Sequence, residues 1–192
     1  YLANSNNNTL TNNTANSNDN SGIYISTGIQ NTLTNNNIWN CTTTTKGCLY
    51  LNNADNNTIS GGIINFSLTA LGLIYLETNS DNNLFKDIQL IGATLNDTFL
   101  TSTSVNNTFR NVSYNISLEY VESGSELIRK WYYMAFVNDT AGGIVDSANV
   151  TAYNNTNDYQ FNLTTGTDGY TQLERIIDYV DVVNKMVCVD FD

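Results

Sequence analysis

The sequence predicts an all-β chain, a parallel β-helix of about five coils followed by a small β-sandwich, and three observations carry that expectation. Asparagine recurs at Asn8, Asn31, Asn57, Asn83 and Asn107, at intervals of 23, 26, 26 and 24 residues. Two positions after each stands an apolar anchor: Leu10, Leu33, Ile59, Phe85 and Phe109. A second column, Tyr1-Leu2, Tyr24-Ile25, Tyr50-Leu51 and Tyr75-Leu76, keeps the same register. A unit of about 25 residues is too short to bury an apolar face alone, so each has to stack on the next.

The elements of one coil follow from these columns. Gly22-Ile23-Tyr24-Ile25 and Leu73-Ile74-Tyr75-Leu76 alternate as strands with one buried face, Ile25, Leu51 and Leu76 inward and the tyrosines outward. The anchors form a second strand. A third follows in Asn37-Ile38-Trp39, Gly62-Ile63-Ile64, Asp87-Ile88-Gln89-Leu90 and Asn111-Val112-Ser113-Tyr114. Stacked strands lie about 4.8 Å apart. An inward amide at each corner can therefore donate to one neighbour and accept from the other, an asparagine ladder of the kind seen in cross-β stacks. The competing reading is that asparagine, 34 of 192 residues, simply marks turns.

After Leu118 the period is lost, so residues 1–119 are expected as the β-helix, 120–130 as a linker and 131–192 as the sandwich. Trp131 to Val137, Ile144 to Tyr153, Tyr159 to Thr165, Thr171 to Val180 and Lys185 to Phe191 read as its strands, with turns at Asn138 to Gly143 and Thr167-Asp168-Gly169.

Proline is absent, where ordinary usage would give about ten; a chain whose strands are paired on both edges has few places for it. The formal charge of −11, with seven basic residues and no histidine, argues against nucleic acid, anionic membrane and phosphate ligands. No apolar run reaches the roughly 18 residues of a membrane span.

Thirteen Asn-x-Ser/Thr sequons begin at Asn7, Asn12, Asn40, Asn56, Asn65, Asn96, Asn106, Asn111, Asn115, Asn138, Asn149, Asn154 and Asn162. Chance predicts about seven from the asparagine and Ser/Thr content. In the residue before each ladder asparagine, Asn7, Asn56 and Asn106 head sequons while the second and fourth coils lack them, through Gln30 and Leu84. Alternate coils leave room for sugar chains that successive coils would not. The expectation is a secreted glycoprotein with covalent N-glycans and no other cofactor. Cys41 and Cys48 bracket a polar loop and are expected to close it as a disulfide in an exported protein; two small apolar residues are the alternative. Cys188 is left over, and three cysteines without histidine make no zinc site.

The coils resemble the right-handed parallel β-helix repeats of pectate-lyase-like proteins and many archaeal surface proteins. The stretch Trp131-Tyr132-Tyr133…Asn138-Asp139…Gly143-Ile144-Val145…Ala148-Asn149-Val150…Thr167-Asp168-Gly169-Tyr170 resembles the Ig-like, carboxypeptidase-regulatory-like sandwich that follows such helices in archaeal S-layer glycoproteins and adhesins. The resemblance implies an extracellular, cell-surface location. It departs from the pattern in having few coils and no proline in the Gly143-Ile144-Val145 turn. Tyr1-Leu2 sits mid-strand in the register, which leads to the expectation of an open first coil and of head-to-tail stacking with copies of itself, as a filament or surface layer.

Enzymatic alternatives rest on little. Asp55 and Asp81 share a corner on neighbouring coils and could act as a glycosidase pair or ligate calcium; solvated turn residues are the plainer reading. Lyases of this fold use a Lys or Arg base beside calcium-binding acids, and Lys46, Lys86 and Arg110 have no acid cluster around them. The tyrosine column Tyr1, Tyr24, Tyr50 and Tyr75 is the other possible contact surface, for a neighbouring copy or a surface polysaccharide. The sequence thus reads as a noncatalytic structural glycoprotein, with a carbohydrate-binding adhesin second and a polysaccharide lyase or hydrolase third.

Overall fold

The computed structural model describes residues 1–67, 70–154, 156–182 and 186–188. The chain divides into two compact units, Tyr1–Arg129 with Val180–Met186, and Lys130–Tyr179 with Val187–Asp192.

The first unit is a parallel β-solenoid of about five turns with three faces. Leu2–Ala3, Ile23–Ser26, Gly47–Asn52, Gly72–Glu77, Thr98–Leu100 and Glu119–Val121 stack in that order on the first face. The second face stacks Thr9–Thr11, Thr32–Thr34, Thr58–Ser60, Leu84–Lys86 and Asn107–Arg110. On the third are Thr14–Asn16, Asn37–Cys41, Ile63–Ser67 and Gln89–Ala93. Registers superpose the columns read from sequence: Leu2 on Ile25, Ile25 on Leu51, Leu51 on Leu76 and Leu76 on Leu100. On the second face Leu33 lies over Ile59, Ile59 over Phe85 and Phe85 over Phe109. All but the half-buried Leu2 are buried and, with Ile38, Ile64 and Leu90 from the third face, fill the core.

The corners explain the composition. A flat strand must turn sharply to start the next face, and one left-handed residue does this with least chain. Asn is among the few side chains that tolerate that conformation. Asn7, Gln30, Asn56, Asn82 and Asn106 form one such column, all with positive φ. Asn12, Asn35, Gly61, Asp87 and Asn111 form another. Gly62 marks a position where only glycine fits. Its φ is 86°, and a Cβ there would lie 2.2 Å from the Asn36 carbonyl oxygen.

The stacking does not stop at Leu118. Within segment 120–130, Glu119–Val121 pairs with Thr98–Leu100 and places Val121 on Leu100. Ser125 and Leu127 are buried. This residue stretch contributes a short sixth rung, and the strand Leu127–Tyr133 runs from there into the second unit.

The second unit is less elaborate than the sandwich expected for 131–192. Its clear sheet is a two-stranded antiparallel pair, Asn149–Tyr153 with Tyr159–Thr164. Isolated bridges join Phe136 to Tyr170 and Asn138 to Ile144. Glu174–Asp181 is a strand where one was expected, while most of the expected strand at 185–191 lies outside the described residues. An Ig-like sandwich of two packed sheets is therefore not what the described residues display.

Candidate functional site

The asparagine column forms a continuous amide ladder. Asn8 Nδ2 donates to Asn31 Oδ1 at 2.9 Å, Asn31 to Asn57 at 3.0 Å, Asn57 to Asn83 at 3.1 Å and Asn83 to Asn107 at 3.1 Å. Each Oδ1 also accepts the backbone N–H of the preceding ladder residue. The second Nδ2 proton reaches a main-chain carbonyl, Ser5 for Asn31, Gly28 for Asn57, Ala54 for Asn83 and Ser80 for Asn107. Both Nδ2 protons of Asn31, Asn57 and Asn83 are thereby used, which is what makes these buried amides tolerable in the interior. The Asn107 N–H ends the series on the Glu126 carbonyl.

Two further columns were not read from the sequence. Ala54 donates its N–H to Ser80 Oγ, Ser80 to Ser104 Oγ and Ser104 to Ser125 Oγ. Their spacing is regular only in the later coils, because Gly28 and Ala54 stand in the same column earlier. Asn13 and Asn36 form a short second amide ladder, Nδ2 to Oδ1 at 2.9 Å.

Next to each buried ladder residue the chain presents an outward one. Asn7, Asn56 and Asn106 are exposed on a single corner, on the first, third and fifth coils. Two of their N–H groups are held by the stack, that of Asn7 donating to the Ile29 carbonyl and that of Asn56 to the Asp81 carbonyl. Asn12, Asn111, Asn115, Asn138, Asn149 and Asn162 are also exposed; Asn40, Asn65, Asn96 and Asn154 are half-buried. Several sequon amides are engaged: Asn40 with Asn16, Asn96 with the Leu71 carbonyl, Asn106 with Asn82, Asn111 with Asp87 and Asn154 with Asp158. The Asn96 sequon also buries its threonine, Thr98.

The carboxylates weighed as a pair each hold a main-chain N–H of the next coil. Asp55 Oδ1 accepts the Asp81 N–H at 2.9 Å, and Asp81 Oδ1 accepts the Val105 N–H at 2.8 Å. Asn6 does the same for Ile29. Each closes a corner on the next coil.

The tyrosine column stacks as a file of rings. Tyr1, Tyr24, Tyr50 and Tyr75 have successive centroids 4.8, 4.6 and 5.1 Å apart, and Phe99 and Tyr120 extend the file. Tyr1 is 78 % exposed, but Tyr50 and Tyr75 are only 3 % and 5 % exposed. Between their neighbours, and with Asn52, Glu77 and Lys46 around them, the central rings offer no open contact face. Lys46 Nζ lies 4.8 Å from the Tyr24 ring centroid, beside a cleft of about 390 Å³.

Burial, then the hydrogen bond to Glu77, push the Tyr50 phenol well above its ordinary value; burial also raises that of Tyr75. A folded-state value raised above the unfolded one adds stability that is complete below the unfolded pKa and is lost as pH rises through the folded one. The urea midpoint of the solenoid is expected to fall as pH climbs past about 10, the ordinary tyrosine value. Tyr50→Phe should flatten that decline, and an identical decline in the variant would show that Tyr50 is not its source.

Cys41 and Cys48 are thiols, not the expected disulfide; both are 0 % exposed. The Cys41 thiol is held below its ordinary value chiefly by a hydrogen bond with Cys48, opposed by burial and helped by the Gly22 N–H. The pairing arises because the bracketed loop leaves the third face at Cys41 and re-enters the first at Cys48, beside each other in the core. The side chain of Cys188 lies outside the described residues.

Residues 1–89 match the family described as "Periplasmic copper-binding protein (NosD)". No curated protein and no solved structure matches the chain. The family's description implies copper, and the residues present do not fit it. Cupric sites draw on imidazole, of which the chain has none. Among the described residues no three Cys, Asp or Glu side chains converge to hold a metal. The two adjacent thiols are enclosed by the core. No helix among the described residues is long and apolar enough to cross a membrane. A parallel β-solenoid with a match to a periplasmic family over its first coils coarsely fits a periplasmic or surface protein.

Proposed function

We propose that this chain is a noncatalytic structural part of an extracellular surface glycoprotein, a solenoid stiffened by its internal ladders and carrying N-linked sugars along one corner. The observation behind this reading is the alignment of Asn7, Asn56 and Asn106, each outward on alternate coils while the residue beside it, Asn8, Asn57 or Asn107, faces the interior. Sugars at those three points stand about 9–10 Å apart, twice the strand spacing, and shield one edge without touching the core. Asp55 and Asp81 serve the corners, and that supports a role without catalysis. Among the described residues no surface speaks for self-assembly into a filament or layer.

Glycopeptide mapping of the protein from its native source tests the reading. Sugar is expected on the exposed Asn7, Asn56 and Asn106 at higher occupancy than on Asn96, which is half-buried and whose sequon threonine, Thr98, is fully buried. Bare asparagine at all three corner positions in exported material would overturn it.

A further inference from the structure

One sequon differs from the corner set in what surrounds it. Asn65 lies mid-strand on the third face, where Ile38, Ile64 and Leu90 turn inward and the alternate residues turn out. Its register partners on the two adjacent coils are Trp39 and Ile91. Both are large apolar residues left uncovered, Trp39 41 % and Ile91 40 % exposed. An indole and a branched aliphatic side chain therefore flank the asparagine at one strand spacing, about 4.8 Å on either side.

Trp39 and Ile91 stand on either side of Asn65, two strand spacings apart, and form an apolar trough with the asparagine at its floor. Here the occupant is indicated by the residue between them. A pyranose ring has one face of C–H groups, and such a face stacks on an aromatic ring while its hydroxyls stay in water, the same division that suits tryptophan to half-wet positions. The first sugar of a glycan on Asn65 is tethered within reach of the indole. Docking it costs little of the freedom a separate ligand would lose. The corner asparagines lack such a platform: Asn56 is bordered along its column by Gln30 and Asn82, both polar.

We infer that Asn65 carries a glycan whose first sugar packs on Trp39, with Ile91 closing the other side, so that the third face is a seat for the chain's own carbohydrate. This rests on the glycoprotein reading. It adds that one glycan is bound to the fold and the corner glycans are free in solvent.

The test uses glycosylated protein with glycopeptide mass at Asn65 measured first. Contacts between Trp39 indole protons and sugar C–H protons, seen by nuclear Overhauser effects in the wild-type chain, are expected. In a Trp131→Phe background, where Trp39 is the remaining indole, acrylamide quenching should rise at least twofold on going to Asn65→Gln. Trp39→Ala should lower the midpoint of thermal unfolding in the glycosylated protein by more than it does in Asn65→Gln. Sugar present on Asn65 with no such contact and unchanged quenching would overturn the docking while leaving the glycoprotein reading intact. A bare Asn65 beside occupied corner sites would also overturn it. Bare asparagine throughout would instead remove the reading beneath.

Discussion

Replacing Asn57 by alanine is expected to cost roughly 3–5 kcal/mol of unfolding free energy, among the largest effects available to a single polar residue in this fold. Asn57 accepts from the Asn31 N–H and Nδ2 and donates to Asn83 Oδ1 and the Gly28 carbonyl. Truncation leaves two buried donors on Asn31 without a partner, and each such group carries a desolvation penalty of about 1–3 kcal/mol. Asn8→Ala is the control. Asn8 is half-buried and donates to Asn31 and to the Asn6 carbonyl, so its loss should cost about 1 kcal/mol. Urea titration followed by far-ultraviolet circular dichroism reads both. Equal costs for the two variants would mean that the ladder is not a cooperative internal spine.

The second large effect lies in the apolar stack. Phe85→Ala should destabilise the solenoid by about 3–5 kcal/mol, the usual range for a buried aromatic truncated to alanine. Phe85 is fully buried, with Ile59 and Phe109 above and below and the Phe109 ring centroid at 5.1 Å. In a solenoid each rung contacts only its neighbours. A void in the fourth coil therefore weakens the coupling on both sides of it, and the denaturant dependence should become shallower as well as shifted. Phe85→Leu, which keeps most of the volume, is expected to lose less than half as much. A cost under about 1 kcal/mol for Phe85→Ala would place that ring outside a packed interior.

Much of the first unit was legible because its constraints repeat. Asn31, Asn57 and Asn83 recur since one geometry, an amide that must satisfy neighbours on both sides, is imposed at every turn. The apolar anchors Leu33, Ile59 and Phe85 recur for the matching reason of burial. What escaped notice lacked either constancy or period. The sixth rung returns Val121 to the Leu100 column after 21 residues where earlier turns take 23 to 26, and Glu126 supplies a main-chain carbonyl where an asparagine would have signalled the corner. The serine column begins as glycine and alanine, residues that carry no hydroxyl to recognise.

The candidate site was less legible, and for a different reason. Alternation gave the side of the sheet on which Tyr50 and Tyr75 lie, but alternation says nothing of what packs over that side. Their rings cover one another and are closed by Glu77, Asn52 and Lys46, contacts set by stacking across coils and not by local sequence. The same holds for Asp55 and Asp81. Their shared corner was readable from the 26-residue spacing, while their use as acceptors for main-chain N–H groups depends on which way each side chain turns. Cys41 and Cys48 were rightly placed at the two ends of one loop, and proximity alone did not make them a disulfide. The second unit has no repeat to amplify a weak pattern, so strands were found near Asn149–Tyr153 and Tyr159–Thr164 without the sheet packing that would join them.

Side-chain amide hydrogen exchange, followed by nuclear magnetic resonance, tests the central claim most directly. Asn31, Asn57 and Asn83 have both Nδ2 protons bonded inside the solenoid. Their exchange should be slowed by orders of magnitude relative to the outward Asn56 and Asn82, approaching the limit set by unfolding of the coils. Exchange of Asn57 as fast as that of its exposed neighbour Asn56 would contradict the internal ladder and, with it, the solenoid built around it.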